Sequence, residues 1–271
     1  VQGKSDLSSL FEGFRNDAIN AGLSTPPFSV VLVKTPTRPY LVLSIAHALY
    51  DGWSLELVHA DVRRAYAHDL TPRPSYEPAL GEILSASSSD AVRFWQDYLC
   101  DAKPCAFPRV AKVSNQGASV VHRRLQKSQT QLLKLTSFAK VSNVSLQTLG
   151  QVAFAMVLAS YTGSLDVIFG SVLSGRDDDY RSQILFPTMN TVAIRAVLHG
   201  TVNETLRYMQ DNFSSIKQWQ HFPLRKAFSA AGVDGCLFES LFIYQRTLNE
   251  AQHLAPKLYT SIGVQSDVEY P

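Results

Sequence analysis

The 271 residues are 45% hydrophobic and 18% charged, with 25 basic against 23 acidic side chains and a net charge of +2. That balance lacks the basic excess on which nucleic-acid and anionic-membrane binding rest, and the apolar fraction argues against a disordered chain. The longest nearly apolar run, Val152–Ala159, is far short of the ~20 residues a membrane-spanning helix needs. The length fits one large domain or two small lobes with a sizeable core. Cys100, Cys105 and Cys236 are too few for a disulfide framework. Cys100 and Cys105 have no His or second Cys pair close by, so no metal site is expected. Incidental thiols in a reducing cytoplasm are the expectation.

The chain opens with Leu7, Leu10, Phe11, Phe14 and Ala18 at helical spacing, ended by Gly22. After Pro26-Pro27, the runs Phe28–Val33 and Tyr40–Ile45 predict a β-hairpin. Leu55, Val58, Val62 and Tyr66 predict a helix over about 54–67, and Pro72, Pro74 and Pro78 then break regular structure. Ser87-Ser88-Ser89-Asp90 offers an N-cap for a helix with Val92, Trp95 and Leu99 on one face. Residues 101–120 lack periodicity and read as a linker, which divides the chain into a first lobe (1–100) and a second (121–271). The second lobe is expected to hold a strand near Val120–Leu125, a helix after Ser128, and a largely buried helix from Ser145 to Tyr161 stopped by Gly163. Strands follow at Asp166–Leu173 and Thr191–Leu198. Thr201 and Glu204 form a capping box for a helix carrying Leu206, Met209, Phe213 and Ile216. A last strand is expected over Leu237–Gln245.

One stretch carries chemistry. Ser44–Ser54 runs from a strand end through His47 and Asp51-Gly52 into a helix, which places an imidazole in a loop at a strand end. Such a His can take a proton from an attacking amine or hydroxyl. Asp51 would fix the loop, and Gly52 would permit a tight turn. Taken alone, His-x-x-x-Asp is weak evidence for chemistry and fits a structural His near a helix start better.

Residues Ala46-His47-Ala48-Leu49-Tyr50-Asp51-Gly52-Trp53-Ser54-Leu55 resemble the His-His-x-x-x-Asp-Gly signature of condensation domains in nonribosomal peptide synthetases. Further matches follow in order. Phe94-Trp95-Gln96-Asp97-Tyr98-Leu99 is similar to the family's Phe-Trp-x-x-Tyr-Leu helix. Asp166–Arg176 is similar to its strand ending in Gly-Arg. Phe186-Pro187-Thr188-Met189-Asn190-Thr191 and Leu241–Gln245 resemble its later segments. The wording is most similar to fungal ferrichrome-type siderophore synthetases. The first His of the signature is Ala46 here, while the second, assigned to catalysis in the family, is His47.

The resemblance implies an α/β (α+β sandwich) fold of two chloramphenicol-acetyltransferase-like lobes in a V around a central tunnel, with this chain an incomplete domain. It implies amide formation between a donor thioester and an acceptor amine, both on 4'-phosphopantetheine arms of partner carrier domains, with no cofactor bound by this domain itself. The expected partners are the donor and acceptor peptidyl carrier domains and an adjacent adenylation domain, without nucleic acid or membrane. His47 would be catalytic, with Asp51, Gly52 and Arg176 supporting the site through an Asp51–Arg176 salt bridge. Ala46 and Asn190 would line the tunnel, although Asn190 reads equally as a strand-end turn residue. Trp53 reads as helix-start packing, and Asp177-Asp178-Asp179 as a solvated loop or a carrier-facing one. A degenerate carrier-docking domain, favoured by Ala46, and a terminal domain releasing product by cyclisation are the alternatives.

Overall fold

The structure, a computed structural model, describes residues 28–36, 38–107, 129–245 and 258–260, with positions 9, 12–14, 16 and 262. In chain order the elements are β1 (Phe28–Val33), β2 (Tyr40–Ile45), a 3-10 turn (His47–Leu49), α1 (Gly52–Tyr66), α2 (Glu77–Leu84) and α3 (Ser89–Tyr98). Then come α4 (Gln129–Val141), α5 (Leu146–Thr162), β3 (Asp166–Leu173), α6 (Asp179–Gln183), β4 (Asn190–Val197), α7 (Val202–Gln218), α8 (Leu224–Ala230) and β5 (Leu241–Ile243). This is a mixed α+β fold. The expected strand at Val120–Leu125, most of the expected opening helix and residues 108–120 of the linker lie outside the described residues.

The chain divides into two compact units. The first contains Val1–Tyr76, Arg176–Thr188 and Leu248–Pro271, and the second Glu77–Gly175 and Met189–Thr247. Their bounds differ from the division at residues 101–120 read from the sequence. Residues 77–100 join the second unit because Trp95 and Leu99 of α3 lie in one core with Phe169 and Ile194. Cys105, placed by the sequence in a linker, is buried there too and donates its N–H to Leu237 O at 2.8 Å. Arg176–Thr188, between β3 and β4 in sequence, belongs to the first unit.

In the first unit β1 and β2 pair antiparallel, Phe28 opposite Ile45 and Val33 opposite Tyr40. The Thr35 hydroxyl holds the turn, donating to Arg38 O and accepting from Arg38 N–H. β2 ends where the 3-10 turn begins, and Asp51 then opens α1.

In the second unit the sheet order is β4-β3-β5, with β3 antiparallel to β4 and parallel to β5. β3 is buried from Val167 to Leu173. A strand enclosed on both faces needs a near-continuous apolar run rather than alternation, and Val167–Leu173 supplies one broken only by Ser171. α5 packs on β3 and on α7, while α7 and α8 pack on β4. Among the described residues β4 is an edge strand, and Tyr98 of α3 covers part of that edge. Its hydroxyl accepts from Arg195 N–H at 2.7 Å and lies 3.3 Å from Arg195 O, to which it donates. Desolvation of this phenol pushes its pKa far up, so it stays a donor.

Several local expectations shift. The buried line on α3 is Ala91, Trp95 and Leu99, one turn apart, while Val92 is exposed. α5 has one buried face (Val152, Ala155, Leu158) and leaves Met156, Val157 and Tyr161 exposed, so it is not buried all round. Pro78 does not prevent α2, because in a first turn its missing N–H has no intrahelical partner to lose. The last strand shrinks to Leu241–Ile243, and Phe238 keeps only an isolated bridge to Cys105. A Cβ on Gly170 would stand 2.5 Å from the Phe238 ring, so that ring takes the space a side chain would fill.

Candidate active site

The chain turns from β2 into α1 through residues 46–51. Half-buried Ala46 precedes the 3-10 turn, and His47 is exposed on it. The His47 Nδ1 lies 3.1 Å from Tyr50 O. A carbonyl only accepts, so Nδ1 carries the proton and donates it. That tautomer leaves the Nε2 lone pair available to take a proton. The Tyr50 ring stacks on the imidazole, centroids 4.7 Å apart and planes 10° apart.

Asp51 is buried and anchors this turn. It is the N-cap of α1: its Oδ1 accepts from Ser54 N–H at 2.7 Å, and its own N–H donates to Ser54 Oγ at 2.8 Å, a reciprocal capping box. The Arg176 Nη2 bridges both carboxylate oxygens at 3.1 Å, and Thr188 N–H donates to Oδ2 at 3.0 Å. Burial alone would raise this carboxyl's pKa. The N–H groups of Ser54 and Thr188 and the Arg176 charge outweigh it, and the pKa falls below the ordinary aspartate value. Asp51 is therefore a buried, ionised strut.

Arg176 is as buried as its partner, with side-chain exposures of 2% and 4%. Its guanidinium also donates to the carbonyls of Arg181, Ile184 and Phe186. One charged group thus gathers the 176–188 segment around Asp51. Other bonds hold that segment within the same unit. Trp53 Nε1 donates to Ser182 O at 2.8 Å, the Tyr180 hydroxyl to Ser75 O at 2.8 Å, and Arg73 to Gln183 O at 3.3 Å. The Tyr76 and Phe186 rings stack at 5.2 Å.

The expected Asp51–Arg176 pair is present. Gly52 does not make the tight turn assigned to it: it is the first residue of α1, and its φ lies outside the left-handed region. The turn is made by the 3-10 segment His47–Leu49, and extended Asp51, at φ −118°, caps the helix after it. The left-handed glycine is Gly175, φ 65°, just before Arg176. Trp53 hydrogen-bonds as well as packs. Within the acidic run, Asp178 caps α6 by accepting from Arg181 N–H and pairs with the Arg181 guanidinium.

Asn190, in the second unit, is half-buried. Its Nδ2 donates to Gln220 O at 2.7 Å and lies 3.4 Å from Phe222 O, while its Oδ1 accepts from Thr191 N–H. Those bonds tie the start of β4 to the chain after α7. Among the described residues no group of three or more His, Cys, Asp or Glu side chains is placed to hold a metal ion.

Sequence reasoning missed Ser54, Thr188 and Tyr50. Asp51-x-x-Ser54 is a readable capping spacing. Thr188 meets Asp51 through a backbone N–H, which has no residue code, and the Tyr50 contacts depend on a turn geometry that no periodicity reports.

The fold places the chain in a known class. It matches a four-domain nonribosomal peptide synthetase, crystallised in its holo form with AMP and glycine, at TM-score 0.67 and 20% identity, over 93% of this chain and 20% of that one. The condensation domain of the monacolin K polyketide synthase MokA matches at TM-score 0.61 and 15% identity, over 79% of this chain and 56% of that one. The sequence profile of the condensation domain covers residues 22–268, and the chain belongs to that family. It is 58% identical over 265 residues to nonribosomal peptide synthetase 2 of Cochliobolus heterostrophus, covering 98% of this chain and 5% of that protein. It is 42% identical over 268 residues to nonribosomal peptide synthetase sidC of Arthroderma benhamiae, again covering 98% of this chain and 5% of that protein. The chain thus spans about one-twentieth of these relatives' length.

Proposed function

We propose that this chain works as a cytoplasmic, amide-forming condensation domain in a fungal synthetase that builds a hydroxamate siderophore. One observation carries this reading: His47 stands on a turn anchored by the buried Asp51–Arg176 pair, its Nδ1 on Tyr50 O and its Nε2 without a hydrogen bond among the described residues. The acceptor amine attacks the carbonyl carbon of the donor thioester. The N–C bond forms, the C–S bond breaks, and the amine proton passes to His47 Nε2 and on to the departing sulfur. Both substrates arrive on phosphopantetheine arms of carrier domains, so no acyl-enzyme is needed. Likeness to sidC supports the siderophore reading, and the units joined in that reading are amino acyl or N-hydroxyornithine-derived.

General-base help contributes about 10²–10⁴-fold, whereas holding two tethered reactants in register contributes roughly 7–11 kcal/mol. A His47→Ala variant should therefore be slow but not silent. Ala46 favours a second reading, a carrier-docking domain without catalysis.

The test uses the intact synthetase and its His47→Ala variant. Carriers are loaded with hydroxyornithine-type donors and with glycyl or seryl groups, and carrier-bound product is followed by intact mass. Product from the parent, lost by 10²-fold or more in the variant, supports catalysis. Equal failure of both, with carrier binding retained, supports the docking reading.

A further inference from the structure

We propose that Tyr50 is the positioning residue for His47, acting through its aromatic ring. The proposal rests on the reading of His47 as the catalytic base. His47 is exposed and sits on a turn that buries none of its own residues, so its ring is not held by burial among the described residues. The two contacts described for its imidazole both come from Tyr50. The backbone carbonyl takes the Nδ1 proton at 3.1 Å. The phenol ring lies nearly parallel to the imidazole, 10° between planes and 4.7 Å between centroids.

These contacts do different work. The carbonyl decides which nitrogen is the base, because it can only accept. A single hydrogen bond still leaves the imidazole free to tilt about the bond axis. A ring stacked on its face removes that freedom and holds Nε2 in one direction. Stacked aromatic pairs are favourable beyond their buried area, so the restraint is energetic as well as steric. Tyr50 is itself half-buried and directly precedes Asp51, whose carboxylate is tied to Ser54, Arg176 and Thr188. Rigidity therefore passes from the buried ion pair through one peptide unit to the clamp, and from the clamp to the base. The ring, not the hydroxyl, is the working part.

The substitutions Tyr50→Leu and Tyr50→Phe separate ring from hydroxyl. Both keep the backbone carbonyl that sets the tautomer. Each goes into the intact synthetase beside His47→Ala, and the rate of carrier-bound product is measured against acceptor concentration, with thermal melting as the folding control. Tyr50→Leu should lower kcat by about 10- to 100-fold, with the acceptor KM and melting unchanged. Tyr50→Phe, which keeps the stack, should restore the rate that Tyr50→Leu loses.

The proposal is overturned if Tyr50→Leu keeps the parental kcat while His47→Ala is slow; the catalytic reading then survives without the clamp. Loss in Tyr50→Phe as large as in Tyr50→Leu assigns the effect to the hydroxyl and also overturns it. A His47→Ala variant with the parental rate defeats the underlying reading, and the clamp with it. If Tyr50→Leu melts early, Tyr50→Trp replaces it. Restoration of stability and rate by Tyr50→Trp supports the stack; restoration of stability alone contradicts it.

Discussion

The two units are held by opposite means. Around β3 the second unit excludes water with Trp95, Phe169, Ile194, Met209 and Ile216, all nearly inaccessible. Around Asp51 the first unit buries charge and satisfies it: Ser54 and Thr188 N–H groups and the Arg176 guanidinium converge on one carboxylate. Apolar burial is non-directional and tolerant of small shifts. A charged, hydrogen-bonded centre is directional and unforgiving, because removing one partner leaves the other buried without compensation. The difference teaches where orientation matters. The core keeps the chain folded, and the polar centre keeps His47 where it is.

The largest effects should come from breaking each centre in turn. Phe169→Ala opens a hole in the second unit and should cost about 3–5 kcal/mol, read by chemical denaturation, with the rate per folded molecule preserved. Arg176→Ala strands a buried carboxylate and should cost about 3–5 kcal/mol, and here the rate per folded molecule should fall as well. Equal treatment of rate by the two variants would erase the contrast.

Acid offers a gentler probe. The Asp51 carboxyl has a lower pKa folded than unfolded, so its stabilisation is complete above the unfolded value of about 4 and is lost as pH falls through the folded value. Parent and Asp51→Asn should differ most near neutrality and converge on acidification below that value, as measured by denaturation across a pH series. The smallest effect should come from Ser54→Ala, which removes half of the capping box and should cost about 1 kcal/mol in the same assay.

Much of this was legible in the letters. Both hairpin strands and β3 have the bounds read from their β-branched and apolar runs, because Gly, Pro and polar turn residues punctuate those runs on either side. Gly163, at φ 70°, and the Thr201–Glu204 box end and begin helices where they should. Asp51 and Arg176 could be paired in advance only through the resemblance, which picks out the Asp-Gly and Gly-Arg motifs that hold them. The acceptors gathered by Arg176 could not, since carbonyls of Arg181, Ile184 and Phe186 belong to the backbone and have no residue code. For the same reason, nothing in residues 176–188 announces that they leave the unit of β3 and β4. Val92 misled because it is the more apolar neighbour of Ala91, yet a four-residue step from Leu99 through Trp95 reaches Ala91.

The central claim is that the buried ion pair acts on the reaction through His47. A double-mutant cycle of His47→Ala and Asp51→Asn, read as the rate of carrier-bound product in the intact synthetase, tests it directly. Asp51→Asn should slow the parent by about 10-fold or more but add little to His47→Ala, since groups that act as one unit are non-additive. The same slowing in both backgrounds would show that Asp51 supports the reaction without acting through His47, and would contradict the account.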